Sequence, residues 1–278
     1  MSIIEVELLE MLFHSLKKPS TDLNLPAGEI HIWLGVLDQL EYGLNRFMQT
    51  LSTDEHRRAA RFHFREDRQQ FIARHGMLRM LLGCYLSVKP GDLRFYDGKN
   101  GKPKVANFPD KRTIHFNLSH SEGVALFAFA RNHEIGVDLE RIREIPEMEQ
   151  IVDRFFSARE KTFFRALPQD MKRDAFLNCW TRKEAFIKAI GEGLSWPLDT
   201  FDVASVPGEG DASLLRAGGP GEVPAWSLHT FRPAREFVGA LAVKCNGFRL
   251  RYFKWTAATI MSQPQESIFP AVCCRGLQ

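Results

Sequence analysis

The sequence lacks the features that mark membrane and secreted proteins. No uninterrupted apolar run approaches the ~18 residues that cross a bilayer. The first residues, MSIIEVELLEMLF, carry glutamates where a signal peptide has basic and then uncharged residues. The five cysteines are odd in number and irregularly spaced, which does not indicate a disulfide framework. We therefore expect a cytoplasmic protein with reduced cysteines and no association with membranes.

The sequence also has little net charge. Lys and Arg number 37 against 34 Asp and Glu, so the formal net charge is +3. This balance argues against bulk nucleic-acid binding, although a local basic patch can still face an acidic partner. The hydrophobic content of 44% is ordinary, and 278 residues are enough for one large domain or two modest ones.

Hydrophobic periodicity predicts a first half in which helices separate an early strand from later ones. Alternating apolar residues predict a strand over 29–37. Helices are predicted over 37–50 and 53–87, with Ser52 or the next residue as N-cap of the second helix and a break near 64–67. Three strands follow, joined by short polar links that favour hairpins, over 115–118, 124–130 and 135–140.

The second half repeats this order of helices and then strands. Helices are predicted over 149–156, 158–166 and 172–190. Strands are predicted over 200–206, 225–231 and 237–243. A Gly-rich hairpin loop separates the first two of these strands, and the region after residue 248 carries little pattern.

An internal echo predicts two similar α+β halves. The segments 51–83 and 156–191 share a layout of Ser, charged helix, Phe and a final Gly, and a β-rich region follows each of them. We therefore divide the chain into an N-terminal extension, an N-terminal α+β lobe, a C-terminal α+β lobe and a C-terminal tail, over 1–28, 29–134, 135–248 and 249–278.

The strand predicted over 135–140 carries two carboxylates on one face. In the segment GVDLE, the two-residue period of a strand puts Asp138 and Glu140 on one side and apolar residues on the other. Neighbouring carboxylates repel each other unless water solvates them or a cation lies between them. The motif alone is typical of a solvated strand face, and a metal site is the second interpretation.

The helix predicted over 172–190 carries a charged pair beside a tryptophan. Glu184 and Lys188 are neighbours one turn apart, and Trp180 lies one turn earlier on the same face. An exposed ion pair is one interpretation, but the crowding apolar residues of this helix favour a cleft wall against which Trp180 packs. If Glu184 meets Asp138 and Glu140, the three carboxylates form a hard oxygen site that suits Mg²⁺. A lysine beside such a site indicates phosphate chemistry.

Other cations and donors in the sequence could hold phosphates. The arginines of the 53–87 helix form either an anion-binding surface or a solvated face. Lys102 lies on a predicted loop tip, and Ser119 and His120 lie at a strand end. Neither a G-x-S-x-G elbow nor a phosphate-cradling G-x-x-x-x-G-K-[ST] loop occurs in the sequence.

Four motifs carry a family resemblance. FNLSHS, GVDLE, FFSARE and WTRKEAFIKAIGEGLSWPLDTF, in this order and spacing, resemble the 4′-phosphopantetheinyl transferases of the larger, monomeric, two-lobed type that activates surfactin synthetase. The resemblance implies an α+β fold, a pseudo-twofold pair of similar α+β lobes with the active site in the cleft between them. It also implies Mg²⁺-dependent transfer of the 4′-phosphopantetheine arm from coenzyme A to a serine of an apo acyl or peptidyl carrier protein, with release of 3′,5′-ADP.

The resemblance assigns roles to individual residues. The family's metal ligands fall on Asp138, Glu140 and Glu184, of which Glu184 is also the general base. The family's essential lysine falls on Lys188. Its coenzyme A contacts fall on Lys102, Ser119, His120 and Lys188, and on basic residues of the early helix that we place at Arg58 and Arg65. The expected partners are coenzyme A and the acidic helix of a carrier protein, and we expect a monomer that binds neither nucleic acid nor membranes.

Two other functions are left open by the sequence. A non-catalytic carrier-protein binder would have lost a ligand, but all three carboxylates and the lysine are present. A Mg²⁺-dependent nuclease or phosphodiesterase would place Glu-x-Lys on one strand. Glu184 and Lys188 are instead four residues apart on a predicted helix, which disfavours this function.

Overall fold

The computed structural model describes most of the chain. The described residues are 23–37, 43–98, 101–106, 113–193, 196–203, 226–245 and 247–255, together with the backbone of 211–217. Within these ranges, none of the helices combines the length and the apolar composition needed to cross a bilayer.

The N-terminal lobe is a four-stranded sheet covered on one face by helices. Its elements are β1 (Glu29–Val36), α1 (Leu44–Thr50), α2 (Thr53–Ala59), α3 (Arg65–Leu86), the hairpin strands β2 (Phe95–Asp97) and β3 (Pro103–Val105), β4 (Ile114–Ser121) and β5 (Val124–Arg131). The strand order is β11-β1-β5-β4, in which β11 (Arg249–Lys254) comes from the end of the described chain.

The C-terminal lobe has the same kind of construction around a five-stranded sheet. Its elements are β6 (Ile135–Arg141), α4 (Met148–Phe155), α5 (Ala158–Ala166), α6 (Gln169–Ile190), β7 (Phe201–Val203), β8 (Asp211–Ala217), β9 (Ser227–Ala234) and β10 (Phe237–Val243). The strand order is β6-β10-β9-β8-β7. The fold is therefore α+β, as predicted, with helices and strands grouped in two lobes.

The two sheets pack face to face through a shared apolar layer. Ile32 of β1, Leu126 of β5, Val137 of β6 and Leu241 of β10 all lie in this layer and are fully buried. The opposite faces of the sheets pack on the helices of their own lobes, for example through Phe127. The alternation predicted for GVDLE is confirmed, because Val137 and Leu139 point into the shared layer.

The two lobes repeat one local design. Helices α2 and α5 both begin with a Ser-x-x-Glu capping box, as predicted for Ser52. Helices α3 and α6 are each 22 residues long and end at a residue in the left-handed conformation, Ser87 and Gly191. A short 3₁₀ helix follows each of them, at Pro90–Asp92 and Leu198–Thr200. These matches support a pseudo-twofold relationship between the lobes.

Strand pairing differs from the sequence prediction in three places. The short links predicted hairpins, but only β4 and β5 form one, because β6 crosses to the other sheet and pairs with β10. Strand β8 lies inside the segment predicted as a Gly-rich loop. Strand β11 lies inside the predicted tail, 249–278, and pairs in parallel with β1. This strand was not predicted because it lies at the edge of the sheet, where charged residues can occupy the exposed face and weaken the apolar pattern.

The lobes meet where β4 of the first lobe lies beside β6 of the second. The Val137 backbone N–H donates to Asn117 Oδ1 at 2.8 Å, and the Arg141 backbone N–H donates to Ser121 Oγ at 3.1 Å. Side chains at every second residue of β4 therefore face β6. Helix α6, like β6 a part of the second lobe, packs on β6. Elements β4, β6 and α6 therefore converge at one junction.

Candidate active site

Asp138 and Lys188 lie at the centre of this junction. Asp138 on β6 is 3% exposed, and Lys188 Nζ on α6 lies 2.6 Å from its Oδ1 atom. Ser119 Oγ of β4 donates to the same oxygen at 2.9 Å and accepts from Lys188 Nζ at 3.0 Å. The three side chains come from three elements and both lobes. The junction thus joins a buried carboxylate and a cation of the second lobe to a serine of the first lobe.

Two further carboxylates surround this pair. Burial, the charge of Asp138 and the charge of Glu140 raise the pKa of Glu184 to about 7, against the opposing effect of Lys188. The pKa of Glu140 is also raised, first by burial and then by Asp138. The strand face and the helix face that carry the predicted ligands therefore meet in the fold, and their carboxylates repel one another.

The donor set fits a hard cation. Asp138 Oδ2 is buried, and the described part of the chain offers it no hydrogen-bond partner. A buried carboxylate oxygen without a donor is unfavourable unless a cation or water satisfies it. Within the same part of the chain, no three His, Cys, Asp or Glu side chains converge closely enough to enclose a metal ion. Asp138 and Glu140 are nevertheless close enough to Glu184 to raise its pKa, so the three carboxylates could hold Mg²⁺ without forming a closed cage.

Trp180 has a polar contact that the sequence pattern did not predict. A hydrogen bond from its indole lowers the pKa of Glu140, as do the charges of Lys188 and Arg143, but burial and Asp138 outweigh them. The indole ring stacks on Phe176, with ring centroids 6.1 Å apart and an angle of 7° between the planes. The prediction that Trp180 packs at the cleft wall agrees with this contact. In the sequence, a polar role of Trp180 was indicated by its spacing of one helical turn from Glu184.

A strip of positive charge runs from this centre to the first lobe. His120 lies at the exposed end of β4, and its pKa is lowered to about 4 by lost hydration and then by the nearby Arg74 and Lys188. Arg74 and Arg58 both place their guanidinium groups over the Phe71 ring, 5.3 Å and 5.4 Å from its centroid. Burial and the charge of Arg58 lower the pKa of Arg74. This strip can attract an anion.

The strip includes two predicted residues and one that was missed. Arg58 and His120 were predicted to contact coenzyme A, whereas Arg74 was considered only as one of many arginines in its helix. No local motif marks Arg74, because only the packing of α3 against β4 brings it to His120. Arg65 begins α3 as an exposed residue and is not among the groups that shift the pKa values of His120, Glu140 or Glu184.

Lys102, a predicted coenzyme A contact, forms three hydrogen bonds inside the protein. Its Nζ atom donates to Glu134 Oε2 at 3.1 Å, to Ile135 O at 2.9 Å and to Ala189 O at 2.8 Å. These bonds use all three N–H donors of a lysine. Burial lowers the pKa of Lys102. Lys102 therefore ties its loop to the start of β6 and the end of α6 instead of presenting a free cation to the cleft.

Two family models match the chain, one in each lobe. The family model described as "4′-phosphopantetheinyl transferase, N-terminal" matches residues 39–131. The model described as "4′-phosphopantetheinyl transferase superfamily" matches residues 134–242. The boundary between the two matches falls at the link between β5 and β6, where the chain passes from one lobe to the other.

Individual relatives extend over most of the chain. The 4′-phosphopantetheinyl transferase HetI of Nostoc sp. is 38% identical over 245 residues, which are 88% of this chain and 100% of the relative. Sfp of Bacillus subtilis, another 4′-phosphopantetheinyl transferase, is 35% identical over 158 residues, 57% of this chain and 68% of its own. A putative 4′-phosphopantetheinyl transferase of Synechocystis sp. is 31% identical over 182 residues, 66% of this chain and 72% of its own. The chain belongs to the 4′-phosphopantetheinyl transferase family.

Proposed function

We propose that this protein transfers the 4′-phosphopantetheine arm of coenzyme A to a serine of an apo acyl or peptidyl carrier protein and releases 3′,5′-ADP. The observation that carries the proposal is the buried Asp138 carboxylate, which is bound to Lys188 on one oxygen and whose other oxygen has no hydrogen-bond partner among the described residues. This centre continues into a positive strip on the first lobe. A metal-binding end beside an anion-binding end suits a pyrophosphate linked to a nucleotide.

The carboxylates would hold the metal ion. Asp138, Glu140 and Glu184 would be the ligands, and the indole of Trp180 would orient Glu140 through its hydrogen bond. When bound, Mg²⁺ neutralises phosphate oxygens of coenzyme A.

The positive strip would hold the nucleotide end. Arg58 and Arg74 offer guanidinium groups that can bind a phosphate through two parallel hydrogen bonds. His120 is neutral near pH 7 because its pKa is about 4. It can donate one hydrogen bond and can gain a proton as a phosphate approaches. Arg65 stays a predicted contact without support from the geometry, and Lys102 is left out because its donors are used inside the protein.

The transfer step uses Glu184 and Lys188. Glu184 can accept the proton of the carrier serine as its oxygen attacks the phosphorus that bears the pantetheine arm. A serine–phosphate bond forms as the bond between this phosphorus and the 5′-phosphate oxygen of the nucleotide breaks. Lys188 stabilises the negative charge that develops on the departing 3′,5′-ADP.

The protein would work as a cytoplasmic monomer without nucleic acid or membrane partners. Ser119, Asp138 and Lys188 come from one chain, so a second copy is not needed to complete the site. The described cysteines form no disulfide: Cys84, Cys179 and Cys245.

The alternative functions fit the geometry less well. A nuclease of the Glu-x-Lys type would need both groups on one strand, but Glu184 and Lys188 both lie on helix α6. A carrier-protein binder without activity would not need a lysine bound to a buried carboxylate beside two further carboxylates.

The experiment that tests the proposal measures 3′,5′-ADP. The protein is incubated with coenzyme A, Mg²⁺ and a panel of apo carriers from fatty acid, polyketide and nonribosomal peptide synthesis, and the nucleotide is quantified by chromatography. We expect release with at least one carrier and none when the acceptor serine of that carrier is replaced by alanine. Absence of 3′,5′-ADP with the whole panel would contradict the proposal.

A further inference from the structure

Lys183, the residue that precedes Glu184, is fully buried. Its Nζ atom lies 2.8 Å from Glu160 Oε2 and donates to Leu198 O at 2.7 Å and Phe201 O at 2.8 Å. These three acceptors use every N–H of the ammonium group. A buried charge held in this way cannot turn without leaving a donor unsatisfied.

The partner carboxylate is equally fixed. Glu160 Oε2 accepts from the Ser157 backbone N–H at 2.8 Å, and Oε1 accepts from the Val203 backbone N–H at 2.8 Å. Ser157 Oγ accepts in return from the Glu160 backbone N–H at 3.2 Å. The pair therefore connects helix α6 to the start of α5, to the 3₁₀ turn and to β7.

The N-terminal lobe contains the corresponding pair. Arg79 of α3 is 1% exposed, and its Nε atom donates to Glu55 Oε2 at 2.7 Å. Its Nη1 atom donates to Pro90 O at 3.0 Å and Leu93 O at 3.1 Å, next to the 3₁₀ turn of that lobe. Glu55 belongs to the capping box of α2, as Glu160 belongs to that of α5. Each lobe thus ties its long helix to the glutamate of a capping box through a buried cation.

The two pairs differ in what comes next along the helix. Arg79 precedes Met80, which is a core residue with 3% exposure. Lys183 precedes Glu184, which faces Asp138 and Glu140. Successive residues of an α-helix point ~100° apart, so a fixed direction for Lys183 fixes the direction of Glu184 and, one turn later, that of Lys188.

We infer that Lys183 is a positioning residue for the transfer reaction, because its buried pair with Glu160 sets the rotation of α6 that aims Glu184 and Lys188 at Asp138. This inference rests on the proposed function. The pair in the N-terminal lobe has the same construction but no reactive neighbour. It therefore serves as a control within the same molecule for a role in stability alone.

The test compares Lys183→Arg with the reciprocal change Arg79→Lys. Arginine keeps the charge, but its flat fork cannot point three N–H groups at the acceptors of a compact ammonium. We expect Lys183→Arg to lower kcat by about 10-fold to 100-fold, since small misplacements of reacting groups cost this much. The KM for coenzyme A should change less than kcat, because Arg58, Arg74 and His120 of the positive strip lie outside α6. Arg79→Lys should lower Tm but leave kcat within about twofold.

Three results distinguish the outcomes. If Lys183→Arg keeps the original kcat per folded molecule, or if Arg79→Lys lowers kcat equally, the positioning role is overturned. If Lys183→Arg does not fold, Glu160→Gln and its counterpart Glu55→Gln give the same comparison with smaller changes. If the unaltered protein releases no 3′,5′-ADP with any carrier, the proposed function itself fails and this inference fails with it.

Discussion

Gly136 of β6 lies directly against Ala185 of α6. A Cβ atom added at position 136 would lie 2.1 Å from the Ala185 carbonyl oxygen and 2.4 Å from the Ala189 backbone nitrogen. The strand can approach the helix this closely only because residue 136 has no side chain. Two residues further along the strand, this contact brings Asp138 within reach of Lys188.

Replacement of Gly136 by alanine should therefore disrupt the site and the fold together. The added atom meets backbone, which cannot move aside as a side chain can, so we expect the free energy of unfolding to fall by about 1–3 kcal/mol. Transfer activity should fall more than stability explains, because Asp138 and Lys188 separate. Denaturant unfolding and 3′,5′-ADP release measure the two effects.

Gly91→Ala is the matched control for this substitution. Among the described residues, its added Cβ atom would meet Gln49 O alone, at 3.9 Å, so stability should change by less than about 0.5 kcal/mol. Equal effects of the two substitutions would contradict the close packing of β6 on α6.

The raised pKa of Glu184 predicts how stability depends on pH in the metal-free protein. The pKa rises from 4.5 to about 7 on folding, so between these values the folded protein keeps a proton that the unfolded chain has lost. The contribution of Glu184 to the free energy of unfolding should fall as the pH rises through this window and then level off. His75 and His120, whose pKa values are lowered to about 4, act in the opposite direction, so a single curve does not isolate Glu184.

A comparison of Tm between a Glu184 variant and the unaltered protein isolates the contribution of Glu184. Glu184→Gln keeps the shape and cannot titrate, so its Tm minus that of the unaltered protein should increase from pH 5 to pH 7. Thermal unfolding at several pH values gives this difference. A difference that does not change with pH would show that the pKa of Glu184 is not raised.

His120 should respond to the nucleotide. Its pKa of about 4 leaves it neutral near pH 7, with Arg74 and Lys188 as nearby cations. A bound phosphate would stabilise the imidazolium and offset these cations, so 3′,5′-ADP should raise the pKa of His120. NMR titration of the histidine ring protons, with and without 3′,5′-ADP, measures the shift. An unchanged pKa in the nucleotide-bound protein would remove His120 from the proposed anion site.

Arg74 and Arg65 should differ in their effect on coenzyme A binding. Arg74 lies near His120, whereas Arg65 is exposed at the start of α3. A charge-assisted hydrogen bond contributes about 1.5–3 kcal/mol, so Arg74→Gln should raise the KM for coenzyme A by about tenfold or more. Arg65→Gln is the matched control and should change KM by less than about twofold. The reverse order would support the sequence prediction over the geometry.

The parts of the fold that depend on local pattern could be predicted from the sequence. Alternation located β1, and the capping preference of serine located the start of α2. The partner of β6 and the existence of β11 depend on residues about 100 and 220 positions away along the chain. A local sequence pattern cannot predict such pairings.

The residues of the candidate site also fall into those that a local motif marks and those that only the fold brings together. Asp138, Glu140, Glu184 and Lys188 stand in motifs, so the family resemblance alone could name them. The contact between Trp180 and Glu140 and the place of Arg74 depend on how helices pack on strands. The contact of Lys102 with coenzyme A stays a prediction, and nothing in the sequence indicated that the fold supplies this lysine with three internal acceptors.

The most direct test of the account is the intact mass of an apo carrier protein after incubation with this protein, coenzyme A and Mg²⁺. We expect the carrier to gain the mass of one phosphopantetheine group. We also expect Lys188→Ala to lower the rate of this gain by about 100-fold or more, and a metal chelator to abolish it. A carrier whose mass stays unchanged across all carrier classes, or that Lys188→Ala modifies at the original rate, would contradict it.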